Sequence, residues 1–301
     1  MNNKNKLKLF LLISPGILAE IISSNTPISK LSNPFELIFL MIAYGIPILL
    51  IWNYKNKYNI NYLGIFILGL AYGILNEGLL AKTLLENSPV VSEGFKNFGV
   101  FGGLNFSWFL LIIPWHAFFS VLFPIIFAEY VFPTEKNTII GSKKTNIFLF
   151  IFCYIILAFV GKDWQGNLNV NHYIFFYSII FSILIITKKY FKNTEMISTG
   201  KNSYRLGFLC TFHYISMFAL AGKIPIILFF LIFCFTTIKI LNYFIKLQLY
   251  DKSRFGVGSY LGFGVFTSIA TLPLGRIDVT IMTIIIITLL HKYILNKKTE
   301  K

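Results

Sequence analysis

The chain has 301 residues, of which 56% are hydrophobic and only 13% are charged, and its formal net charge is +15. Soluble proteins are usually about 25% charged, so this composition excludes an ordinary soluble globular protein. The apolar residues fall in blocks of about 16–26 residues, close to the roughly 20 that a helix needs to cross a bilayer. We therefore predict an all-α bundle of transmembrane helices that forms a single integral membrane domain.

Ten apolar segments follow one another along the chain. The first segment comes directly after three lysines, so a cleaved signal peptide is an alternative there. No clear small-x-small cleavage site follows it, and we expect a retained helix. The predicted spans are residues 7–22, 35–52, 62–81, 105–131, 147–161, 172–187, 206–221, 224–245, 257–273 and 277–294.

The distribution of basic residues indicates how these spans are threaded through the bilayer. With the N-terminus inside, 20 of the 27 Lys and Arg residues fall on the inner side, 6 fall on the outer side, and Lys239 lies within a span. An excess of basic residues in cytoplasmic loops is typical of membrane proteins. The pattern predicts a multi-pass protein of the cell membrane with ten spans and both termini inside. It also explains the net charge through the lipid bilayer, without nucleic acid as a partner.

The outer connection 82–104 is the longest loop of the predicted topology. Glycines at positions 94, 99, 102 and 103 rule out a regular helix along its whole length. Two interpretations stay open for this segment. It is either an exposed loop or a lid, or re-entrant cap, over a site.

Ionisable side chains inside an apolar span are costly, and each is a candidate functional residue. Glu77 lies beside Asn76 in the stretch GILNEGLLAK, near the outer end of the third span. Lys82 is off the face that an intrahelical ion pair requires, so we expect it to reach the outer interface. Gly69 and Gly73 share the face of Glu77, which permits a neighbouring helix to pack closely there. A helix-end carboxylate in headgroup water is the alternative.

Two histidines lie at the centre of predicted spans. His116 follows Pro114 in the fourth span, where we expect a kink, so it either lines a cavity or forms a hydrogen bond between helices. His213 lies in the seventh span, three residues after Cys210. That pair could bind a metal or form a nucleophile, and the alternative is a hydrogen bond from His213 to another helix. We interpret Glu129, at the inner end of the fourth span, as an interfacial charge.

The glycine-rich stretch FGVGSYLGFGVF has the spacing GxGxxxGxG, which differs from the dinucleotide-binding pattern GxGxxG. Gly258 and Gly262 form a GxxxG pair in an apolar segment, which predicts close packing of two helices. The sequence contains no Walker A, GxSxG, HExxH or EF-hand motif, so it identifies no cofactor.

The stretches around Glu77, His116 and His213 resemble the CAAX-protease and bacteriocin-processing family of intramembrane peptidases. That family carries Glu-Glu-x-x-x-Arg on one helix, Phe-x-x-x-His on a later one and His-x-x-x-Asn/Asp further on. The resemblance implies that Glu77 activates a water molecule and that His116 and His213 hold a metal or stabilise the oxyanion. The residues that depart from the family pattern are Asn76, Lys82, Ile112 and Met217.

The stretches AYGILNEGLLAK and WHAFFSVLFP also resemble a group of functionally uncharacterised prokaryotic membrane proteins, which implies a shared fold and no particular activity. Three functions follow as hypotheses. The first is transport or sensing of a small molecule or an ion through an intramembrane cavity lined by Glu77, His116 and His213. The second is metal-dependent intramembrane proteolysis. The third is a structural or partner-binding role in the membrane.

Overall fold

The computed structural model describes most of the chain, with gaps at several connections and near the C-terminus. The described parts are mostly helical, and the one sheet among them has two strands. The residues that the structure describes are 2–21, 29, 32–86, 88, 91–163, 168–192 and 202–271, with a few positions between 281 and 292.

Nine helices have described bounds between residues 3 and 271, joined in places by short turns such as Pro133–Glu135. The first helix is extended by a wider turn, Ile17–Ile21. The helices are α1 (Asn3–Gly16), α2 (Pro34–Tyr58), α3 (Tyr62–Leu80), α4 (Phe106–Val131), α5 (Lys143–Asp163), α6 (Val170–Tyr190), α7 (Ser203–Leu220), α8 (Ile226–Ile245) and α9 (Leu249–Thr271).

Asparagine marks the beginning of five of these helices. The first N–H groups of a helix have no partner within the helix, and an asparagine oxygen just ahead of it accepts from one of them. The distances from the side-chain oxygen to the accepted nitrogen are 2.8–3.0 Å. The capping residues are Asn2, Asn33, Asn61, Asn105 and Asn169.

Each of the first nine predicted spans overlaps one of the helices, and the tenth, 277–294, lies largely outside the described residues. In the described part of the chain, five helices are long and apolar enough to cross a membrane, namely α2, α3, α4, α6 and α8. The chain is therefore an all-α bundle with several membrane-length helices. The number of spans and their orientation stay predictions.

Helices α3 and α4 form the centre of the bundle. In each, 78% of the most apolar window is buried inside the protein, against 11% in α6 and 17% in α8. A helix that is apolar on nearly all sides must be covered by protein or by lipid. Because protein leaves α6 and α8 largely uncovered, their exposed faces suit a hydrocarbon environment.

Glycines let α3 approach α4 closely. A Cβ atom added at Gly69 would lie 2.7 Å from the Cα atom of Ala117, and one at Gly73 would lie 3.1 Å from the carbonyl oxygen of Ile113. The expected close approach on the Gly69–Gly73 face is confirmed. It brings the backbone of α4 against the helix that carries Glu77.

A second close contact joins α7 to α9. A Cβ atom added at Gly258 would lie 2.0 Å from the carbonyl oxygen of Tyr204, and one at Gly207 would lie 2.0 Å from that of Phe255. Gly262 also lies against α7. The close helix packing predicted from the GxxxG pair is therefore confirmed.

Several lysine-bearing segments meet at one end of the bundle. The Asn61 backbone N–H donates to the carbonyl of Phe191 at 3.0 Å, and the Asn53 amide donates to the carbonyl of Ile140 at 2.9 Å. The end of α6 thus lies beside the α2–α3 connection, and α2 lies beside the segment that leads into α5. The predicted topology requires these segments to share one side. The lysines that they carry are Lys55, Lys57, Lys136, Lys143, Lys188, Lys189 and Lys192.

At the other end of α3, the described residues of the connection 82–105 fold over the bundle, and we call them the cap. Its strands β1 (Val100–Phe101) and β2 (Leu104–Asn105) pair antiparallel. The two-residue turn between them needs two positive φ angles, which Gly102 and Gly103 supply. Phe95 is fully buried against aromatic residues of α4, α7 and α8. Of the two interpretations of this segment, its burial matches the cap.

Candidate functional site

Glu77 and His116 are in direct contact between α3 and α4. The His116 Nε2 atom lies 2.6 Å from the Glu77 Oε1 atom, although the residues are 39 positions apart. Glu77 is 8% exposed and His116 is 1% exposed. The Asn76 amide nitrogen lies 3.3 Å from Nε2 and 3.5 Å from Oε1. The carboxylate and amide that stand side by side in the sequence therefore both face the same imidazole.

The cap holds the second oxygen of the same carboxylate. The Thr83 hydroxyl donates to Glu77 Oε2, and the Trp108 indole N–H donates to the Thr83 oxygen at 3.1 Å. The chain can reach back in this way because α3 ends at Leu80 and Lys82 adopts a left-handed φ of 53°. Lys82 is 5% exposed, so the expectation that it extends to the outer interface is wrong.

The second ring nitrogen of His116 contacts its own helix. Nδ1 lies 2.8 Å from the Ser120 hydroxyl oxygen, one turn further along α4. When Nε2 carries the proton and donates to Glu77, Nδ1 accepts from Ser120, and when the ring is protonated both nitrogens donate. The ring is enclosed by the aromatic side chains of Tyr44, Tyr72 and Trp115, with centroid distances of 6.2, 5.7 and 4.9 Å.

Both residues of the pair lie where the helix is wound more widely than an α-helix. Such π-helical turns are rare, and they occur frequently at functional sites. Pro124 lies two residues after the wide turn in α4, and Pro47 lies two residues after the one in α2. Neither proline has the backbone N–H that would donate to the carbonyl four residues earlier in an α-helix. The turns and the site residues they carry are Ile17–Ile21 with Glu20, Met41–Gly45 with Tyr44, Ile74–Leu80 with Glu77, and His116–Leu122 with His116.

A second carboxylate, that of Glu20, contacts Tyr44, whose ring lies beside His116. The Tyr44 hydroxyl donates to Glu20 Oε1, and the Tyr44 ring is tilted against the His116 ring. The Tyr72 hydroxyl donates to the carbonyl of Ala43 at 3.1 Å, which fixes that ring beside His116. Side chains of α2, α3 and α4 thus contact one buried imidazole directly, and Glu20 and Thr83 are linked to it through Tyr44 and Glu77.

His213 has other partners. Its ring nitrogens lie 3.1 and 3.2 Å from the Thr236 hydroxyl and 3.4 Å from that of Thr237, and its ring stacks on Phe233. All three belong to α8, as in the interpretation that His213 bonds to another helix. Among the described residues, no three or more His, Cys, Asp and Glu side chains are grouped to hold a metal ion. The structure therefore joins two of the three predicted residues and places the third in a different helix contact.

Glu129 is buried in an ion pair rather than exposed as an interfacial charge. It is 2% exposed, its Oε1 atom lies 2.5 Å from Lys55 Nζ, and its Oε2 atom accepts from the Tyr62 hydroxyl at 2.6 Å. Since Tyr62 begins α3 and Glu129 is near the end of α4, this network and the Glu77–His116 pair lie at opposite ends of one helix pair. The interfacial interpretation is wrong because Lys55 reaches Glu129 from α2.

Sequence reasoning missed most of the groups around the pair. Ser120 follows His116 by four residues, a spacing that puts both on one helix face, and its hydrogen bond to His116 agrees with that spacing. Thr83 and Trp108 gave no signal, because a threonine in a loop and a tryptophan in an apolar helix are both ordinary. Glu20 is an acidic residue inside the first predicted span, which by itself could have marked it as a candidate.

Removing the Thr83 hydroxyl tests whether the cap is tied to the site. Thr83→Val should leave Glu77 Oε2 and the Trp108 indole without their partner, which costs about 1–3 kcal/mol of unfolding free energy. The measurement is thermal unfolding of the purified protein in detergent micelles. Thr134→Val, at an exposed threonine, is the matched control and should change the midpoint little. Equal effects of both variants would show that the Thr83 bond contributes nothing.

Comparison with known proteins places the chain in a family. The model of a family described as an uncharacterized membrane protein family matches residues 9–292. An uncharacterized protein of Archaeoglobus fulgidus is 21% identical over 240 residues, which covers 74% of this chain and 74% of that protein. No solved structure matches the chain. These matches confirm the resemblance to functionally uncharacterised membrane proteins and give no support to the resemblance to the CAAX-protease family. The chain belongs to the uncharacterized membrane protein family whose model spans nearly its whole length.

Proposed function

We propose that this is a multi-pass protein of the cell membrane, a single integral domain that transports or senses a small molecule or an ion by proton exchange. Its proton-binding centre is the pair Glu77 and His116. The observation that supports this proposal is the buried 2.6 Å contact between the carboxylate and the imidazole, which lies between two apolar and largely buried helices.

The energetics of burial favour a functional role over a purely structural one. Taking a carboxylate and an imidazolium out of water costs several kcal/mol per ion, and hydrophobic residues of similar volume often stabilise a fold as well as a buried pair does. Titratable groups inside a membrane protein are therefore typical of ion pathways and proton relays. The packing of α3 on α4 through Gly69 and Gly73 does not require Glu77 or His116.

A proton can also move between Glu77 and His116 at low electrostatic cost. A carboxylate beside an imidazolium and a carboxylic acid beside a neutral imidazole have the same net charge. A proton can therefore shift between Glu77 Oε1 and His116 Nε2 without changing the charge of the buried site. Gain or loss of one further proton changes that charge by one unit, which is the event that a coupled transporter or a sensor must detect.

The cap gives this event a structural consequence. Thr83 donates to the same carboxylate, and an ionised carboxylate accepts a stronger hydrogen bond than a neutral one. Protonation of Glu77 therefore weakens the bond between the cap and α3. The proposed mechanism is that the protonation state of the pair sets how firmly the cap covers the outer end of the site.

The test is proton flux in proteoliposomes that contain the full chain and a trapped pH indicator. A potassium diffusion potential drives the flux, and Glu77→Gln should reduce it about tenfold or more, because positioned acid–base groups contribute factors of about 100 or greater. Glu93→Gln is the matched control, since the Glu93 side chain is 86% exposed on the same cap. Thermal unfolding of each variant shows whether the protein is still folded.

Proton exchange and a structural or partner-binding role give different results in this experiment. Loss of flux in Glu77→Gln and in His116→Gln, with Glu93→Gln unchanged, supports proton exchange at the pair. A wild-type protein without flux, whose Glu77→Gln variant differs only in thermal stability, supports a structural or partner-binding role instead. His213→Gln should retain flux, because its partners lie on α8.

A further inference from the structure

Several lysines surround one tyrosine at the lysine-bearing end of the bundle. The Nζ atoms of Lys57, Lys188 and Lys192 lie 5.1, 4.9 and 5.9 Å from the centre of the Tyr58 ring. The charge of Lys143, at the start of α5, also acts on the Tyr58 hydroxyl. We call these four lysines and Tyr58 the Tyr58 patch. Three different segments of the chain thus supply the charges of one patch.

Hydrogen bonds hold the elements of the patch together. The Lys192 Nζ atom donates to the carbonyl of Tyr58 at 2.9 Å, and the Asn61 amide donates to the carbonyl of Lys192 at 2.9 Å. The Tyr54 hydroxyl joins α2 to α6 through the carbonyl of Leu184 at 2.7 Å. The lysines therefore emerge from a fixed framework rather than from independent loops.

Within the described residues, no acidic side chain neutralises the charges of the patch. Its four lysines are exposed, and within the described part of the chain none of them forms an ion pair with a carboxylate. The partial negative charge at the ends of α2 and α6 offsets only part of this positive charge. Three ammonium groups around one ring, with Lys143 acting on the same residue, repel one another, and an anion bound between them would relieve that repulsion.

The surroundings of the patch indicate which anion fits. Directly behind Lys188 on α6, Ile185 is 67% exposed and Ile186 is 45% exposed. On α5, one turn beyond Lys143, Ile147 is 50% exposed and Phe148 is 64% exposed. The basic patch is therefore continuous with apolar faces on helices that protein leaves uncovered. A ligand that matches both surfaces has a negatively charged head and hydrocarbon chains.

We propose that the Tyr58 patch binds the headgroup phosphate of an anionic phospholipid, whose acyl chains lie along the exposed faces of α5 and α6. Each lysine close to an anionic headgroup strengthens binding about fivefold. Replacing three of them should therefore weaken binding of the anionic lipid by at least about tenfold and leave a zwitterionic lipid unaffected. The inference is independent of the proton chemistry of Glu77 and His116.

The experiment is native mass spectrometry of the full chain in detergent, titrated with phosphatidylglycerol or phosphatidylcholine. The patch variant is Lys57→Gln, Lys188→Gln and Lys192→Gln together. The control variant removes the same charge at three exposed lysines elsewhere, Lys6→Gln, Lys8→Gln and Lys246→Gln. Thermal unfolding of both variants, with and without lipid, checks that each is folded.

The proposal predicts that wild type and control bind phosphatidylglycerol at least about tenfold more tightly than the patch variant does, with no such difference for phosphatidylcholine. Equal weakening in patch and control variants would show that only the overall charge matters, and the proposed site would be wrong. Competition by inorganic phosphate as effective as by phosphatidylglycerol would show a free-anion site and would also overturn the proposal.

Discussion

Replacing Gly258 with alanine is expected to cost about 3 kcal/mol or more of unfolding free energy, because the new methyl group has no space. Its Cβ atom would lie 2.0 Å from the carbonyl oxygen of Tyr204, a backbone atom that cannot rotate away. Protein interiors are close-packed, and added methylene groups typically cost about 1–3 kcal/mol even where side chains can adjust. Here α7 and α9 must move apart along their shared face, which also strains the Ser259 hydroxyl bond to the carbonyl of Gly207.

The measurement is the unfolding midpoint in detergent, together with the yield of monodisperse protein on size-exclusion chromatography. Gly256→Ala is the matched control, two residues away in the same helix. Its Cβ atom would meet the end of the Phe127 ring at 2.9 Å, and a side chain can shift where a backbone cannot. A Gly258→Ala variant as stable as Gly256→Ala would show that α7 and α9 can separate at this contact at little cost.

Replacing Glu129 with glutamine is expected to destabilise the protein by about 3–5 kcal/mol, because it leaves buried positive charge without its counter-charge. Lys55 pairs with Glu129 directly, and Lys252 is 2% exposed with its Nζ atom 4.8 Å from the centre of the Tyr62 ring. The charge of Glu129 also acts on Lys252. Two lysines therefore interact with the Glu129 carboxylate, and Lys252 also interacts with Asp251.

Lys55→Met provides the comparison for this prediction. It removes one cation and leaves Glu129 with the Tyr62 hydroxyl and the charge of Lys252, so its cost should be clearly smaller than that of Glu129→Gln. Unfolding free energies measured in mixed micelles give the order of the two variants. The opposite order would show that Lys252 does not share the charge of Glu129.

The helices of this protein could be predicted from local sequence alone. Apolar blocks mark the segments that must be covered by lipid or protein, and they located nine helices of the described chain. The polar ends of some helices were missed. Helix α9 begins at Leu249, well before the apolar segment 257–273, because polar residues can remain helical outside the hydrocarbon. Glu77 and His116 were identified for a related reason, since titratable groups are rare within such blocks.

The contact between Glu77 and His116 could not be predicted from helical periodicity. A helical-wheel argument assumes 3.6 residues per turn, and π-helical turns in both α3 and α4 change which side chains share a face. The same argument predicted an exposed Lys82, whereas the left-handed turn there folds the chain back and buries it. His213 looked equivalent to His116 in the sequence, and only its packing against α8 separates the two.

By itself the sequence determined that this is a helical membrane protein, where its apolar segments lie and which titratable residues are unusual in them. These properties depend on composition and on neighbours along the chain. Tertiary structure decided that Glu77 meets His116, that Lys55 neutralises Glu129 and that the cap closes on the site through Thr83. Each of those contacts joins side chains from different segments, and its geometry depends on helix packing and irregular turns that no local pattern encodes.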